Sequence, residues 1–143
     1  MTDALARRGS WVGVLLMAVV IAGCGGPMRP EELGRSVDSL ASSAAEGGLL
    51  AHGVARDRTK ATFARAHSRD LSESVDHEAE KLSDADAQGS VVAAKRRAVV
   101  LAGEISQALG MLQTEPRNQA VGRQAERTLT RLAARASRLA GSL

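Results

Sequence analysis

The side chains that could carry chemistry in this 143-residue chain are few, and its three histidines come first. Imidazole and carboxylate groups are common ligands of zinc and other transition metals, and acids surround His67 and His77. His77 and Glu78 begin like a zinc-protease helix, but Lys81 stands where the second histidine is needed. The spacing of Glu73 and His77 is also wrong for a di-iron bundle. We therefore expect no metal site, and a metal- or ligand-binding role for His67 and His77 with the neighbouring acids remains an alternative.

Other signatures of catalysis are absent from the sequence. No serine lies in a Gly-x-Ser-x-Gly or Ser-x-x-Lys motif, so nothing marks an activated nucleophile. No glycine-rich phosphate loop is present, and the paired carboxylates are spaced like solvated helix faces. We expect no catalytic residue, no cofactor and no enzymatic activity.

The remaining reactive side chain is Cys24, the only cysteine, which ends an N-terminal leader. Arg7 and Arg8 precede an apolar run at residues 11–21, and Asp3 is the only acid before that run. This layout is typical of a signal peptide. The run of about 11 residues is roughly half as long as a membrane-spanning helix needs to be, so cleavage is favoured. Because basic flanks resist translocation, we expect the rest of the chain to be exported.

The residues just before the cysteine carry a more specific resemblance. The segment Ile21-Ala22-Gly23-Cys24 resembles the lipobox of bacterial lipoproteins, in which a branched aliphatic residue and two small residues precede an invariant cysteine. The resemblance covers only about the first 26 residues. It implies that a diacylglyceryl group is attached to the Cys24 thiol and that the signal peptide at residues 1–23 is removed. The new amino group is often acylated as well.

Lipidation of Cys24 would anchor the domain to a membrane, and it would also explain the single cysteine of the chain. Each buried CH₂ contributes about 0.8 kcal/mol, so two or three acyl chains hold a small domain at a bilayer. A lone free thiol would be a liability in an oxidising compartment, and a lipidated cysteine removes it. Gly25 leaves both the cell membrane and the outer membrane open as the location. An ordinary secreted protein and an uncleaved N-terminal anchor are the alternatives.

The chain after the leader is long enough for one small domain. We expect a tether at residues 24–29 and a helical domain at residues 30–143. Loss of Arg7, Arg8 and Asp3 brings the 19 basic and 16 acidic residues close to balance, so net charge indicates little about partners. Only one aromatic residue, Phe63, remains after the leader, which disfavours the stacking surfaces that bind nucleic acids.

Apolar residues at spacings of three and four predict the first two helices. Proline and acids at residues 30–32 suit a helix start, and Gly47-Gly48 suits its end. The first seam consists of Leu33, Val37, Leu40 and Ala44. A second register then runs from Leu50 to Leu82, which we interpret as one continuous helix, the alternative being a break at residues 68–70. Residues 83–90 read as a turn.

Two further helices are predicted before and after Pro116. The third has an apolar face made of Val91, Ala94, Ala98, Ala102, Ile105, Leu109 and Leu112. A second stripe of small residues suggests packing from another side and consists of Val92, Val99, Gly103, Ser106 and Gly110. The fourth has a seam made of Ala125, Leu129, Leu132, Ala136, Leu139 and Leu143.

A basic stripe runs along the fourth helix and consists of Arg123, Arg127, Arg131, Arg135 and Arg138. It either attracts anionic headgroups or envelope polymers, or pairs loosely with the acidic half of the second helix or is solvated. We favour the second interpretation.

The sequence as a whole predicts an all-α fold, a small antiparallel bundle of three to four helices with coiled-coil-like seams. The predicted function is that of a membrane-anchored envelope lipoprotein with a non-enzymatic structural or protein-interaction role. Its expected partners are the lipid bilayer, through acylated Cys24, and a second copy or another helical envelope protein. The alternative is a metal- or ligand-binding envelope sensor.

Overall fold

A computed structural model describes residues 26–143, and within them helices alternate with short turns. The predicted signal peptide and Cys24 lie outside the described residues. The helices are α1 (Pro30–Ala55), α2 (Ala61–Asp84), α3 (Ser90–Thr114) and α4 (Gln119–Ala140). The prediction of an all-α helical bundle is confirmed, with four helices. None of α1–α4 combines the length and the hydropathy that a bilayer-spanning helix requires.

Contacts between helix ends show that the helices run alternately up and down. The Met28 N–H at the start of α1 donates to the carbonyl of Asp86, just after α2, at 2.7 Å. Near the start of α2, the Arg65 side chain donates to the carbonyl of Gln113, at the end of α3, at 3.3 Å. The bundle therefore has an entry end, where α1 and α3 begin, and a far end, where α2 and α4 begin.

The apolar seams predicted for three of the helices are buried. In α1 the buried seam consists of Leu33, Val37, Leu40 and Ala44. The α3 face from Val91 to Leu112 and the α4 seam from Ala125 to Leu139 are buried with them. Leu143 differs from the prediction, because α4 ends at Ala140 and the Leu143 side chain is exposed. Many of the core residues are alanines, so the apolar volume between the helices is small.

The prediction that α1 ends at Gly47-Gly48 is wrong, because α1 continues to Ala55. Both glycines are buried and lie against other helices rather than at a helix end. A Cβ on Gly47 would stand 2.7 Å from a methyl of Leu109 and 3.2 Å from a methyl of Leu129. These glycines allow close approach between helices, a use that local sequence signals do not distinguish from a helix stop.

The start of the second predicted helix is also wrong. Leu50 and Val54 belong to α1, and the chain turns at residues 56–60 before α2 begins at Ala61. Asp57 marks that turn with a φ of 54°, in the left-handed region that ends a helix. The heptad-like spacing continues across the turn, where its position is polar Asp57, but Ser68 and Glu78 interrupt the apolar register in the same way inside α2, so periodicity alone could not reveal the turn. From Ala61 onward α2 is continuous through residues 68–70, as predicted.

The second packed face of α3 differs from the predicted stripe of small residues. Leu101 and Ala108, on the opposite flank of the main seam, are buried instead, whereas Gly103 is exposed. Ser106 lies at the border with α2, where its hydroxyl donates to Asp76 at 2.6 Å. The stripe of small side chains was therefore a poor guide to the second packed face, because Leu101 and Ala108 lie on the flank of α3 that faces α4.

The tightest approach in the bundle joins α1 and α4 near the far end. A Cβ on Gly122 would lie 2.6 Å from the backbone nitrogen of Ala55 and 3.1 Å from the carbonyl oxygen of Ala51. No side-chain rotation can relieve such contacts, because the neighbouring atoms belong to the backbone. Gly122 therefore sets the separation of the two helices.

We expect Gly122→Ala to lower the free energy of unfolding by about 1–3 kcal/mol, because α4 must move away from α1 to accommodate the methyl group. Gly103→Ala is the matched control, since a Cβ there meets nothing within 4 Å. That change should stabilise the bundle by about 0.5–1 kcal/mol through helix propensity. Urea unfolding followed by circular dichroism measures both. Equal stabilisation by the two substitutions would contradict the close approach.

Candidate functional site

The predicted lipidation site, Cys24, lies outside the described residues, two positions before the first of them, Gly26. Met28 is already part of the bundle, since its side chain is buried and its N–H donates to the carbonyl of Asp86. The described chain therefore enters the bundle at Met28, at the entry end.

His67 has a structural environment that joins α1 and α2. Its Nε2 lies 2.8 Å from a carboxylate oxygen of Glu46 on α1. Its ring stacks on Phe63, one turn earlier in α2, with the ring centroids 5.3 Å apart. The remaining histidine, His52, makes a comparable link from α1 to Glu126 on α4, at 2.7 Å. The two imidazoles thus link α1 to α2 and α1 to α4.

The acids that the sequence placed near the histidines do not converge with them. His77 is exposed on α2, and so are three of the acids near it in sequence, Asp70, Glu73 and Glu80. Ten residues of helix separate His67 from His77, about 15 Å at 1.5 Å per residue, whereas ligands of one metal ion lie within a few ångströms of each other. In the described part of the chain, no group of three or more histidine, cysteine or acidic residues could hold a metal ion.

The basic stripe of α4 is exposed along its length, but it does not pair as predicted. Helices α2 and α4 make no contact within residues 26–143, so the acidic half of α2 cannot neutralise the stripe. That part of the prediction is wrong, because α1 and α3 lie between the two helices. The ion pair that does form joins Arg135 to Glu104 on α3.

Part of the stripe lines a groove between α3 and α4, which we call the basic groove. It has a volume of about 460 Å³, and its charged lining combines two residues of each helix: Arg96, Arg97, Arg135 and Arg138. Its apolar lining consists of Val100, Leu101 and Leu139. Arg96 and Arg97 were not among the residues predicted from the sequence to form a basic surface. The available signal was the basic run Lys95-Arg96-Arg97 inside an otherwise apolar helix.

Two large apolar side chains stand exposed towards the far end, on α1 and α2. Leu49 is 76% exposed and Phe63 is 56% exposed. The link between Glu46 and His67 sets the register of these antiparallel helices. Leu49 lies one turn beyond Glu46 and Phe63 one turn beyond His67, both towards the far end, and we call these two residues the far-end apolar pair. No spacing pattern marks them in the sequence, because Leu49 adjoins the seam residue Leu50.

Comparisons with protein-family models, with curated proteins and with solved structures give no match for this chain.

We expect calorimetric titration of the chain from residue 24 onward with zinc, copper or nickel at micromolar concentration to give no saturable heat. The physical reason is that His67 is engaged with Glu46 and is too far from His77 to share a metal ion with it. A one-to-one isotherm that disappears in the His67→Ala variant but persists in His52→Ala would contradict this expectation and favour the metal-binding alternative.

Proposed function

We propose that this protein is a lipid-anchored bacterial envelope lipoprotein whose helical bundle acts as a non-enzymatic structural or protein-interaction module. The observation that carries the proposal is the lipobox-like segment at residues 21–24, which ends an export leader at the only cysteine of the chain. The location would be the outer face of the cell membrane or the outer membrane.

The form of the bundle supports such a role. Met28 packs into the core only four residues after Cys24, so the bundle would lie directly on the headgroups with its entry end towards the bilayer. Nineteen residues of α1 separate Pro30 from Leu49, about 28 Å at the rise of an α-helix. The far-end apolar pair would therefore stand well clear of the membrane, where another envelope protein or a second copy could reach it.

The interaction role rests on that exposed pair. Exposed apolar residues are individually common, but two large ones on adjacent helices in a chain with so few large side chains are a candidate contact surface. Elsewhere in the described residues the exposed large apolar side chains are Val100 and Leu143, which lie on α3 and after α4. Most other exposed helix positions hold charged, polar or small residues.

The mass of the native N-terminus tests the anchor. We expect a chain that begins at Cys24 and exceeds the unmodified mass by a diacylglyceryl group and an amide-linked acyl chain. Cys24→Ser should retain residues 1–23 and carry no lipid, because serine offers no thiol to acylate. Gly25→Ser is the matched control and should be processed like the natural chain. A mature chain with a free thiol would refute the proposal.

Crosslinking in intact cells tests the interaction role. We expect an adduct larger than the single chain that is lost when Leu49→Ser and Phe63→Ser are combined, since the apolar contact area is removed. The double variant Ala45→Ser and Ala66→Ser changes exposed positions on the same two helices and should keep the adduct. An unlinked chain in cells, together with a monomer in sedimentation, would count against a protein partner at this surface.

A further inference from the structure

The basic groove is the most unusual surface of the described residues, because it collects four guanidinium groups and no carboxylate. Arg135 is paired with Glu104 outside the groove lining. Within residues 26–143 no carboxylate forms an ion pair with Arg96, Arg97 or Arg138. Like charges held together repel one another, so the groove favours an anionic occupant.

The chemistry of the lining narrows that occupant. Guanidinium groups are planar forks that hold phosphate oxygens by paired hydrogen bonds, and they are weakly hydrated compared with ammonium groups. Beside them the groove presents the apolar side chain of Val100, which is 56% exposed, and the more deeply set Leu101 and Leu139. A ligand with a phosphate next to hydrocarbon fits both parts of this lining.

The groove also lies at a particular end of the bundle. Its residues Arg97, Leu139 and Ser142 extend into a smaller cavity of about 170 Å³ that is lined by Pro30, the first residue of α1. The groove is therefore at the entry end, close to the point where the chain leaves the bundle towards Cys24. Six residues from Cys24 to Pro30 span at most about 20 Å.

Acidic residues are also present at the entry end, but they lie elsewhere on its surface. Asp84 and Asp86 belong to the end of α2 and the turn after it, and α2 does not touch α4 anywhere in residues 26–143. In the first turn of α1, the carboxylate of Glu32 accepts from the N–H of Arg29 at 3.4 Å. The groove lining therefore holds arginines without acids, whereas the rest of the entry end carries charges of both signs.

We propose that the basic groove binds the phosphate of an anionic glycerophospholipid of the membrane in which the protein is anchored. The arginines hold the headgroup phosphate, and the apolar lining receives the glycerol and the first part of the acyl chains. This inference rests on the proposed lipid anchor, because the anchor is what brings the entry end to headgroup depth. It adds a specific ligand class and a defined orientation of the bundle on the bilayer.

The test uses the chain from residue 24 onward, coupled through its only thiol, Cys24, to a maleimide lipid in vesicles. The coupling supplies an anchor chemically, so the result does not depend on whether cells lipidate Cys24. No tryptophan remains after residue 23, so Leu143→Trp can serve as a single fluorescent reporter beside the groove. Leu49→Trp reports from the far end.

The quantity measured is quenching of the reporter by lipids with brominated acyl chains. We expect brominated phosphatidylglycerol to quench Leu143→Trp at low mole fraction, whereas brominated phosphatidylcholine at equal density quenches it weakly. Leu49→Trp should not be quenched by either lipid, since it stands far from the bilayer. Millimolar inorganic phosphate should leave the quenching unchanged.

Matched charge variants then locate the interaction. Each arginine near an anionic surface strengthens binding roughly five-fold, so combining Arg97→Gln and Arg138→Gln should raise the half-quenching mole fraction about 30-fold. Arg123→Gln with Arg127→Gln removes the same charge from the far half of α4 and should change little. All four side chains are exposed, and circular dichroism checks that the variants keep their helix content.

Several outcomes would overturn the inference. Equal quenching by the two lipids would mean that only apolar contact occurs, and absence of quenching would mean that the groove faces away from the membrane. Equal losses in the two double variants would mean diffuse attraction without a site. Relief by inorganic phosphate would mean a site for the free anion. A native chain without lipid at Cys24 would refute the proposed anchor. The vesicle measurements would still test the groove by itself, because the anchor in them is supplied chemically.

Discussion

The backbone contact of α1 with α4 at Gly122 is the constraint on which the arrangement of the bundle depends. An interior rich in alanine offers little apolar area per residue, so helices must approach closely to bury enough of it. The hydrogen in place of a side chain at Gly122 lets the backbone of α4 rest on Ala51 and Ala55, and Gly47 makes room for Leu109 and Leu129. Close approach of the helices thus adds to the burial of the leucine, isoleucine and valine side chains that fill the rest of the core.

The positions of the surface features follow from the uneven packing of α4 on its two neighbours. Because α4 is drawn against α1, it packs less extensively on α3, and the space between α3 and α4 remains open as a groove. Arginines of both helices turn towards that space, while α2 with its acids lies on the other side of the bundle. The basic groove is thus a result of uneven helix packing. It lies at the entry end, and the exposed Leu49 and Phe63 lie towards the other, so the bundle has two chemically different ends.

The candidate sites are formed by residues from distant segments of the chain, which come together only in the fold. The α4 stripe was visible as a repeat of arginines, and it was expected either to pair loosely with α2 or to be solvated, because charge balance suggests a partner without locating one. Arg96 and Arg97 are about 40 residues away from Arg138 along the chain, and no local pattern links them. The histidines were equally uninformative, since His67 pairs with Glu46 across a helix interface that periodicity does not define.

The sequence by itself determined the helical class and most of the buried faces, and it predicted an export leader with a lipobox-like cysteine, which lies outside the described residues. These are local properties, because a signal peptide is a linear pattern and the spacing of three and four reflects the turn of a single helix. Only the tertiary structure decided that Gly47 and Gly48 lie within α1, that the chain turns at residues 56–60, and that four arginines share one groove. Each of these depends on how closely two helices approach, and that distance is set by side chains on both.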